Sequence, residues 1–418
     1  MHTSIKFSYS ILFVLAMLAG TGSSSEYDIH AASFLSLPTQ QPIDQHPTNS
    51  LKADPPSTKR TPPIDESPPP QAVEATPSVA PEVTYTYGPD NFPSGINPLT
   101  GLPLDDPARL ERRPIAIKIT NFPRSVRPQW GLTLADHVYE YYIGDLMTRF
   151  IGIFYANDAT RVGPVRSARL FDEYMLRMYK AFFVFGYADF RVRDELFDDD
   201  LKSFLIFETP RNCPPVCRYE NNLSYNNLYA DTAGLHEYFA RKGKNDQRQN
   251  QDGLLFDIQP PADGQAADSM STYYTMVSYH RWEYAPQQGR YLRLQELQDD
   301  RGQTLLYAPL VDSLSQQQAS ASNVVVLYVP HETYYESSST LILDMPVNNF
   351  GQGYALRDGL IYPLIWINTG SDRLWNLYLT NGEPYPLKPG NVWFEIIGES
   401  SQLEQHGQGH WQFNFSIP

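Results

Sequence analysis

The chain has 418 residues, with 32 Lys and Arg against 47 Asp and Glu, and a formal net charge of −15. That length suggests two or three domains, and 41% apolar against 19% charged residues is enough to bury cores, unlike a disordered polyelectrolyte. The acidic balance removes the counterion-release term that drives nucleic-acid binding, so no nucleic-acid partner is expected.

Residues 1–25 (MHTSIKFSYSILFVLAMLAGTGSSS) place Lys6 before an apolar run from Ile11 to Leu18 and then small residues. This is the layout of a secretory signal peptide, and the run falls short of the roughly 20 residues a membrane-spanning helix needs. Residues 26–86 are rich in Pro, Ser, Thr and Gln, with twelve of the 35 prolines between Pro38 and Pro81. Such a stretch cannot offset its conformational entropy by burial and favours extended polyproline II, so it reads as a disordered, Pro-rich, semi-rigid spacer. Residues 1–86 carry −4, which leaves −11 on the folded part.

Residues 87–258 read as a mixed α/β domain. Pro114–Thr120 (PIAIKIT), His137–Ile143 (HVYEYYI), Arg149–Tyr155 (RFIGIFY) and Ala181–Tyr187 (AFFVFGY) are strand-like runs of aromatic and β-branched residues. Between the last two, Leu170, Phe171, Tyr174, Met175 and Met178 mark one face of a helix over Ser167–Lys180, and a second helix is expected over Thr232–Lys242. Cys213 and Cys217, the only cysteines, would close a local disulfide in an oxidising compartment. Gln259–Met270, a polar break with two prolines, reads as a domain boundary. Residues 271–418 then read as a mainly antiparallel β domain, with MVSYHRWEY and RYLRLQ as a hairpin around APQQG, and VVVLYV, TLILDM, GYALRDGLIYPLIWI and VWFEII as further strands.

The most informative segment for function is Thr148–Arg169 (TRFIGIFYANDATRVGPVRSAR). An aromatic strand leads to a Gly163-Pro164 turn and to Ser167, a suitable N-cap. Arg149, Arg161, Arg166 and Arg169 surround this connection, and arginine forks near a helix start suit a carboxylate or phosphate. Arg149, Arg161, Arg166, Ser167 and Arg169 are therefore the candidate anion-binding residues. The competing reading pairs these arginines with the domain's own acids, Asp172 or Glu173 at helical spacing and Glu140 or Asp145 on the preceding hairpin. A rival enzymatic reading casts Glu140 or Asp145 as acid or base on an envelope polymer. No nucleophile motif, phosphate loop or metal-ligand spacing is present, so no catalytic residue, metal or cofactor is expected. Asp194–Asp200 (DELFDDD) lacks the glycine of a calcium loop and reads as a solvated acidic turn. His280 beside Trp282 and His331-Glu332 read as surface or rim residues. Tyr139, Tyr141 and Tyr142, with Asn226-Asn227-Leu228-Tyr229, suit either sugar or peptide contacts or an ordinary β core.

Several segments in order resemble the YerB-like family of bacterial cell-envelope lipoproteins: NPLTGLP (Asn97–Pro103), RPIAIKITN (Arg113–Asn121), RPQWGLTLADHVYEYY (Arg127–Tyr142), GPVRSAR (Gly163–Arg169), WEYAPQQGRYLR (Trp282–Arg293), RDGLIYPL (Arg357–Leu364) and LKPGNVWFEII (Leu387–Ile397). The resemblance implies an α/β domain joined to a β-rich one, export, and an N-terminal lipid anchor, but supplies no catalytic residues. Two departures stand out. Leu18-Ala19-Gly20 is followed by Thr21, whose hydroxyl cannot form the lipid-bearing thioether of a lipoprotein cysteine. Ala181–Asp189 and Asn226 also lack the histidines similar proteins carry there. The sequence thus points to an extracytoplasmic protein of the cell envelope, or a secreted one. Its expected partner is an envelope component or envelope protein, and any membrane association would run through the N-terminal segment alone.

Overall fold

The computed structural model describes residues 86–198, 200–219, 225–370 and 372–418. The signal segment 1–25 and the spacer up to residue 85 lie outside the described residues. In the first half, β1 (Ile115–Thr120), β2 (His137–Tyr142) and β3 (Thr148–Phe154) form where aromatic and β-branched runs were expected. They are followed by α1 (Phe171–Tyr179), β4 (Phe182–Phe185), α2 (Phe190–Leu196), β5 (Leu205–Phe207) and α3 (Thr232–Arg241). The acidic turn expected at 194–200 is in part helical: Asp189 caps α2, and Val192 and Leu196, four apart, bury its inner face. Cys213 and Cys217 are joined in a disulfide, with Cα atoms 4.8 Å apart.

The second half is almost entirely strand: β6 (Ser269–Tyr273), β7 (Tyr279–Ala285), β8 (Arg290–Glu296), β9 (Asn323–Val329), β10 (Glu332–Ser337), β11 (Thr340–Asp344), β12 (Phe350–Arg357), β13 (Leu360–Ile367), β14 (Asn376–Leu379), β15 (Val392–Gly398) and β16 (His410–Asn414). The β7–β8 hairpin closes with Ala285 opposite Arg290. Asp358 and Gly359, at φ +54° and +77°, make the left-handed turn between β12 and β13. Gly359 is required there, since a Cβ would also lie 2.9 Å from the Tyr284 ring.

The two halves meet in one eleven-stranded sheet, in which β13, β12, β9, β15, β2, β3, β1, β4 and β5 are successive neighbours. Strand β15 lies parallel to β2 with Glu395 opposite Glu140, so the sequence break at 259–270 does not separate two independently closed cores. The described residues form one compact unit. Strands β1, β2, β4, β5, β9 and β15 all point the same way, and β3 runs against them.

A seven-stranded sheet containing β8, β7, β6 and β16 packs its β7 and β8 side chains against this layer. Arg293 of β8 donates from Nη2 to Glu140 Oε2 at 2.5 Å and from Nη1 to Glu395 Oε1 at 3.0 Å. Its guanidinium lies 5.1 and 4.9 Å from the Trp282 and Trp393 ring centroids. His280 Nε2 lies 2.8 Å from Glu395 Oε1, Trp282 Nε1 donates to the same oxygen at 3.0 Å, and Thr148 Oγ1 donates to Glu140 at 2.7 Å. His280, Trp282, Arg293, Glu140 and Glu395 are all fully buried and His331 is buried too, so neither histidine is the surface or rim residue expected. Burial raises the Glu395 carboxyl and holds the His280 imidazole well below its usual range.

Tyr139 and Tyr141 are core residues, and Tyr142 is nearly so. Trp375 Nε1 donates to the Tyr139 hydroxyl at 2.8 Å, which lies 2.6 Å from the Tyr179 hydroxyl. Tyr179 in turn reaches His137 Nδ1 at 2.6 Å, and His137 Nε2 reaches the Leu99 carbonyl at 2.6 Å. A carbonyl only accepts, so Nε2 carries the ring proton and Tyr179 donates to Nδ1. Among the described residues no helix is long and apolar enough to cross a membrane.

Two outcomes follow from this core. Arg293→Met leaves two buried carboxylates without their cation and should cost about 3–5 kcal/mol in urea unfolding. Burial also holds the His137 and His331 imidazoles down to about 4. In the unfolded chain each takes a proton below about 6.5, so their stability contribution is complete above that pH and is lost as pH falls toward about 4. His331→Gln should therefore gain up to about 3 kcal/mol relative to the parent between about pH 7 and about pH 4, read from paired urea melts.

Candidate functional site

The arginine turn lies at the carboxyl edge of the large sheet. Beyond their short pairing, β1 and β4 splay apart, and residues 164–168 fill the gap as extended chain. Thr120 N donates to Pro164 O at 3.0 Å, Arg166 N to Lys118 O at 3.0 Å, Gly186 N to Arg166 O at 3.0 Å and Ala168 N to Tyr187 O at 2.8 Å. Because this stretch is held as a strand between two strands, α1 begins only at Phe171, with Leu170 at the cap position and no side-chain cap. Ser167 is thus not the N-cap. Its carbonyl instead accepts from Arg149 Nη1 at 2.7 Å, from the start of β3.

Arg149, Arg166 and Arg169 come together here, each part-buried. Burial disfavours the charge of all three, and on Arg149 the Arg169 and Arg166 guanidiniums add to that effect. Among the described residues none of the three has a carboxylate within ion-pair distance. Arg169 Nη1 donates to the Ala168 carbonyl at 2.8 Å, Arg166 Nη2 to Asn226 Oδ1, and Arg166 Nε is buried without a partner. Of the four acids that might have neutralised them, all but the exposed Asp145 are engaged otherwise. Glu173 pairs with Arg177 at 2.9 Å and Glu140 with Arg293, while Asp172 pairs with Lys118 at 3.0 Å, accepts from the Tyr141 hydroxyl and binds the Arg169 backbone N–H at 2.8 Å.

Lys118, Tyr141 and Asp172 form a fully buried group beneath the arginines. Burial lowers the Lys118 amine to about 7 against the opposing pull of Asp172, with Arg149 adding to the lowering. Lys118, Arg149 and Arg169 therefore share a single buried carboxylate, while Arg166 acts on Arg149. Sequence reasoning missed this layer, although a lone lysine inside an otherwise apolar strand, PIAIKIT, was a signal.

Arg161 does not join the cluster. Its guanidinium lies among Trp130, Tyr219 and Tyr229, 3.9 to 4.2 Å from their ring centroids. Glu140 is sealed inside the Arg293 network, out of reach of any polymer. Asp145 is exposed on the β2–β3 turn. Asp145, Ser167, Arg169, Tyr187 and Asp189 line a cavity of about 240 Å³, closed on the far side by Ser339–Ile342 from the β10–β11 hairpin.

Ligand atoms of Glu140, His280 and Glu395 lie within 4.8 Å of one another, a spacing that could hold a metal ion. The Arg293 guanidinium already supplies the cation both carboxylates need, and a divalent ion would be set against it. A larger cleft, about 470 Å³, opens at the opposite edge beside Asn97, Asp136, Arg290 and Asn391. The charged groups at its base are internally bound: Asp136, pushed up to about 6 by burial, accepts from Asn97 and from the Tyr155 and Ala156 N–H groups, and Arg290 donates to Ser320, Ser322 and Asn391. The arginine turn is the better candidate because, among the described residues, none of its three guanidiniums has a carboxylate within ion-pair distance.

Comparison with known proteins agrees with the fold. The N-terminal domain of a family described as a protein of unknown function, DUF3048, matches residues 99–245, and the C-terminal domain of the same family matches residues 270–394. The chain is 44% identical over 85 residues to the "Putative lipoprotein YerB" of Bacillus subtilis (strain 168); the match covers 20% of this chain and about a quarter (24%) of that relative. The crystal structure of YerB from Bacillus subtilis superposes with a TM-score of 0.61 at 21% identity, covering 72% of this chain and 96% of that one. At that identity the likeness speaks for the fold alone. With both domain types present in order and the YerB architecture shared across them, the chain belongs to the YerB-like family of proteins of unknown function.

Proposed function

We propose that this chain is an extracytoplasmic protein of the bacterial cell envelope that binds an anionic envelope ligand or partner at the arginine turn, without catalysing a reaction. The observation that carries the reading is the charge count at the sheet edge. Lys118, Arg149 and Arg169 stand around one buried carboxylate, Asp172, with Arg166 close enough to act on Arg149, in a folded part that is otherwise acidic. Part-buried guanidiniums without a counter-ion are costly, and an anion would supply bidentate, charge-assisted bonds. The position supports the same reading, since open α/β sheets bind ligands outside the carboxyl ends of their parallel strands. Envelope location rests on the signal-like N-terminal segment and on the lipoprotein designation of the Bacillus relative.

The rival reading, an enzyme acting on an envelope polymer through Glu140 or Asp145, has less support. Glu140 is fully buried and bound to Arg293, which leaves Asp145 as the one accessible carboxylate of the two.

Inorganic phosphate should raise the melting temperature of the parent, and Arg166→Ala with Arg169→Ala should weaken that stabilisation by about tenfold or more in apparent affinity. Stabilisation that survives both substitutions places the anion elsewhere. Binding of sulfate, whose charge is constant in this range, should also weaken as pH rises through about 7, where Lys118 loses its charge.

A further inference from the structure

We propose that the anionic group bound at this turn belongs to a zwitterion: an amino-acid-type head group with an ammonium a few ångströms from its carboxylate or phosphate. The proposal rests on the anion reading above and narrows it. Arg169 and Ser167 meet solvent through the cavity of about 240 Å³, and that cavity is bounded by acids as well as by a guanidinium. Asp189 is committed, because its carboxylate accepts from the backbone N–H and the guanidinium of Arg191, both at 3.0 Å. Asp145 is different: it is exposed and has no hydrogen bond or ion pair among the described residues, yet its charge acts on Arg169.

A ligand carrying negative charge alone would gain Arg169 and be repelled by Asp145. One carrying positive charge alone would meet the reverse. Only a molecule with both charges finds each answered, and the separation it needs is set within one small cavity. Apolar Ile143 and Leu341 line the same space, which leaves room for a short side chain but not for a run of polymer. The turn that presents Asp145 is unusual in its backbone: Gly144, Asp145 and Leu146 have φ of +89°, +50° and +61°. Two non-glycine residues in succession are thus held left-handed beside the cavity. Asparagine tolerates that conformation as well as aspartate does, so Asp145→Asn removes the charge and keeps the fold.

The test titrates the whole chain with alanine, N-acetylalanine, alaninamide and phosphoethanolamine, followed by amide chemical shifts. Alanine or phosphoethanolamine should bind, and which of the two binds tighter tells a carboxylate from a phosphate head. N-acetylalanine should bind about tenfold more weakly than alanine. Asp145→Asn should weaken alanine by a similar factor and leave N-acetylalanine unchanged. If N-acetylalanine binds as tightly as alanine and Asp145→Asn changes neither, the zwitterion is overturned while the anion site stands. If alaninamide binds tightest, or if no probe shifts the resonances around Arg169, both the zwitterion and the anion reading fail.

Discussion

The guanidinium of Arg293 is the contact on which the rest of the molecule depends. It reaches from the seven-stranded sheet to Glu140 on β2 and Glu395 on β15, two carboxylates that lie side by side in the large sheet and would otherwise repel one another inside a dry core. Buried ion networks of this kind seldom add net stability compared with apolar packing, because desolvation consumes most of the Coulomb gain. They do discriminate among arrangements. Only one register of β15 against β2 brings both carboxylates to the same arginine, so the network selects the alignment of the two sequence regions.

The same sheet explains where the unanswered charge can sit. Residues 164–168 occupy the gap between β1 and β4, with Pro164 and Arg166 bonded to β1, Arg166 and Ala168 to the residues just after β4, and Val165 N to Leu228 O. The side chains of Arg166 and Arg169, with Arg149 from the neighbouring strand, are thereby delivered to one edge by backbone pairing instead of by ion pairs of their own. Internal carboxylates could have satisfied them at lower cost. Asp172 instead turns inward to Lys118, and Glu173 faces Arg177. The positive charge left over is a property of this topology as much as of the residue types.

Much of this was legible in the sequence and some was not, for identifiable reasons. Strands such as PIAIKIT, VVVLYV and VWFEII are buried on both faces and read as continuous apolar runs. The helix α3 is framed by Asp231, whose side chain caps it. In contrast, β6 (SMSTY) and β10 (ETYYES) carry too many polar residues to stand out, and the charges of α2 hide the Val192–Leu196 pair that buries it. At the site, arginines 149, 166 and 169 are close in the chain, and β3 and the turn bring them near one another. Arg161 looked equivalent by position, but its surroundings come from Trp130, Tyr219 and Tyr229, which no local pattern connects. The Glu140–His280–Arg293–Glu395 network was out of reach, since its members are spread over more than half the chain.

The pairing of β2 with β15 also sets the order in which the molecule can be completed. Residue 140 waits for residue 293 before its carboxylate has a cation, and for residue 395, about 250 positions later, before its strand has a neighbour on that side. Until then the first half presents an open, aromatic-rich sheet edge. A polypeptide that crosses a membrane from its N-terminus would emerge on the far side with that edge uncovered for more than half of the passage. Its maturation would therefore favour a holding factor, or rapid delivery of the last strands, over folding one segment at a time.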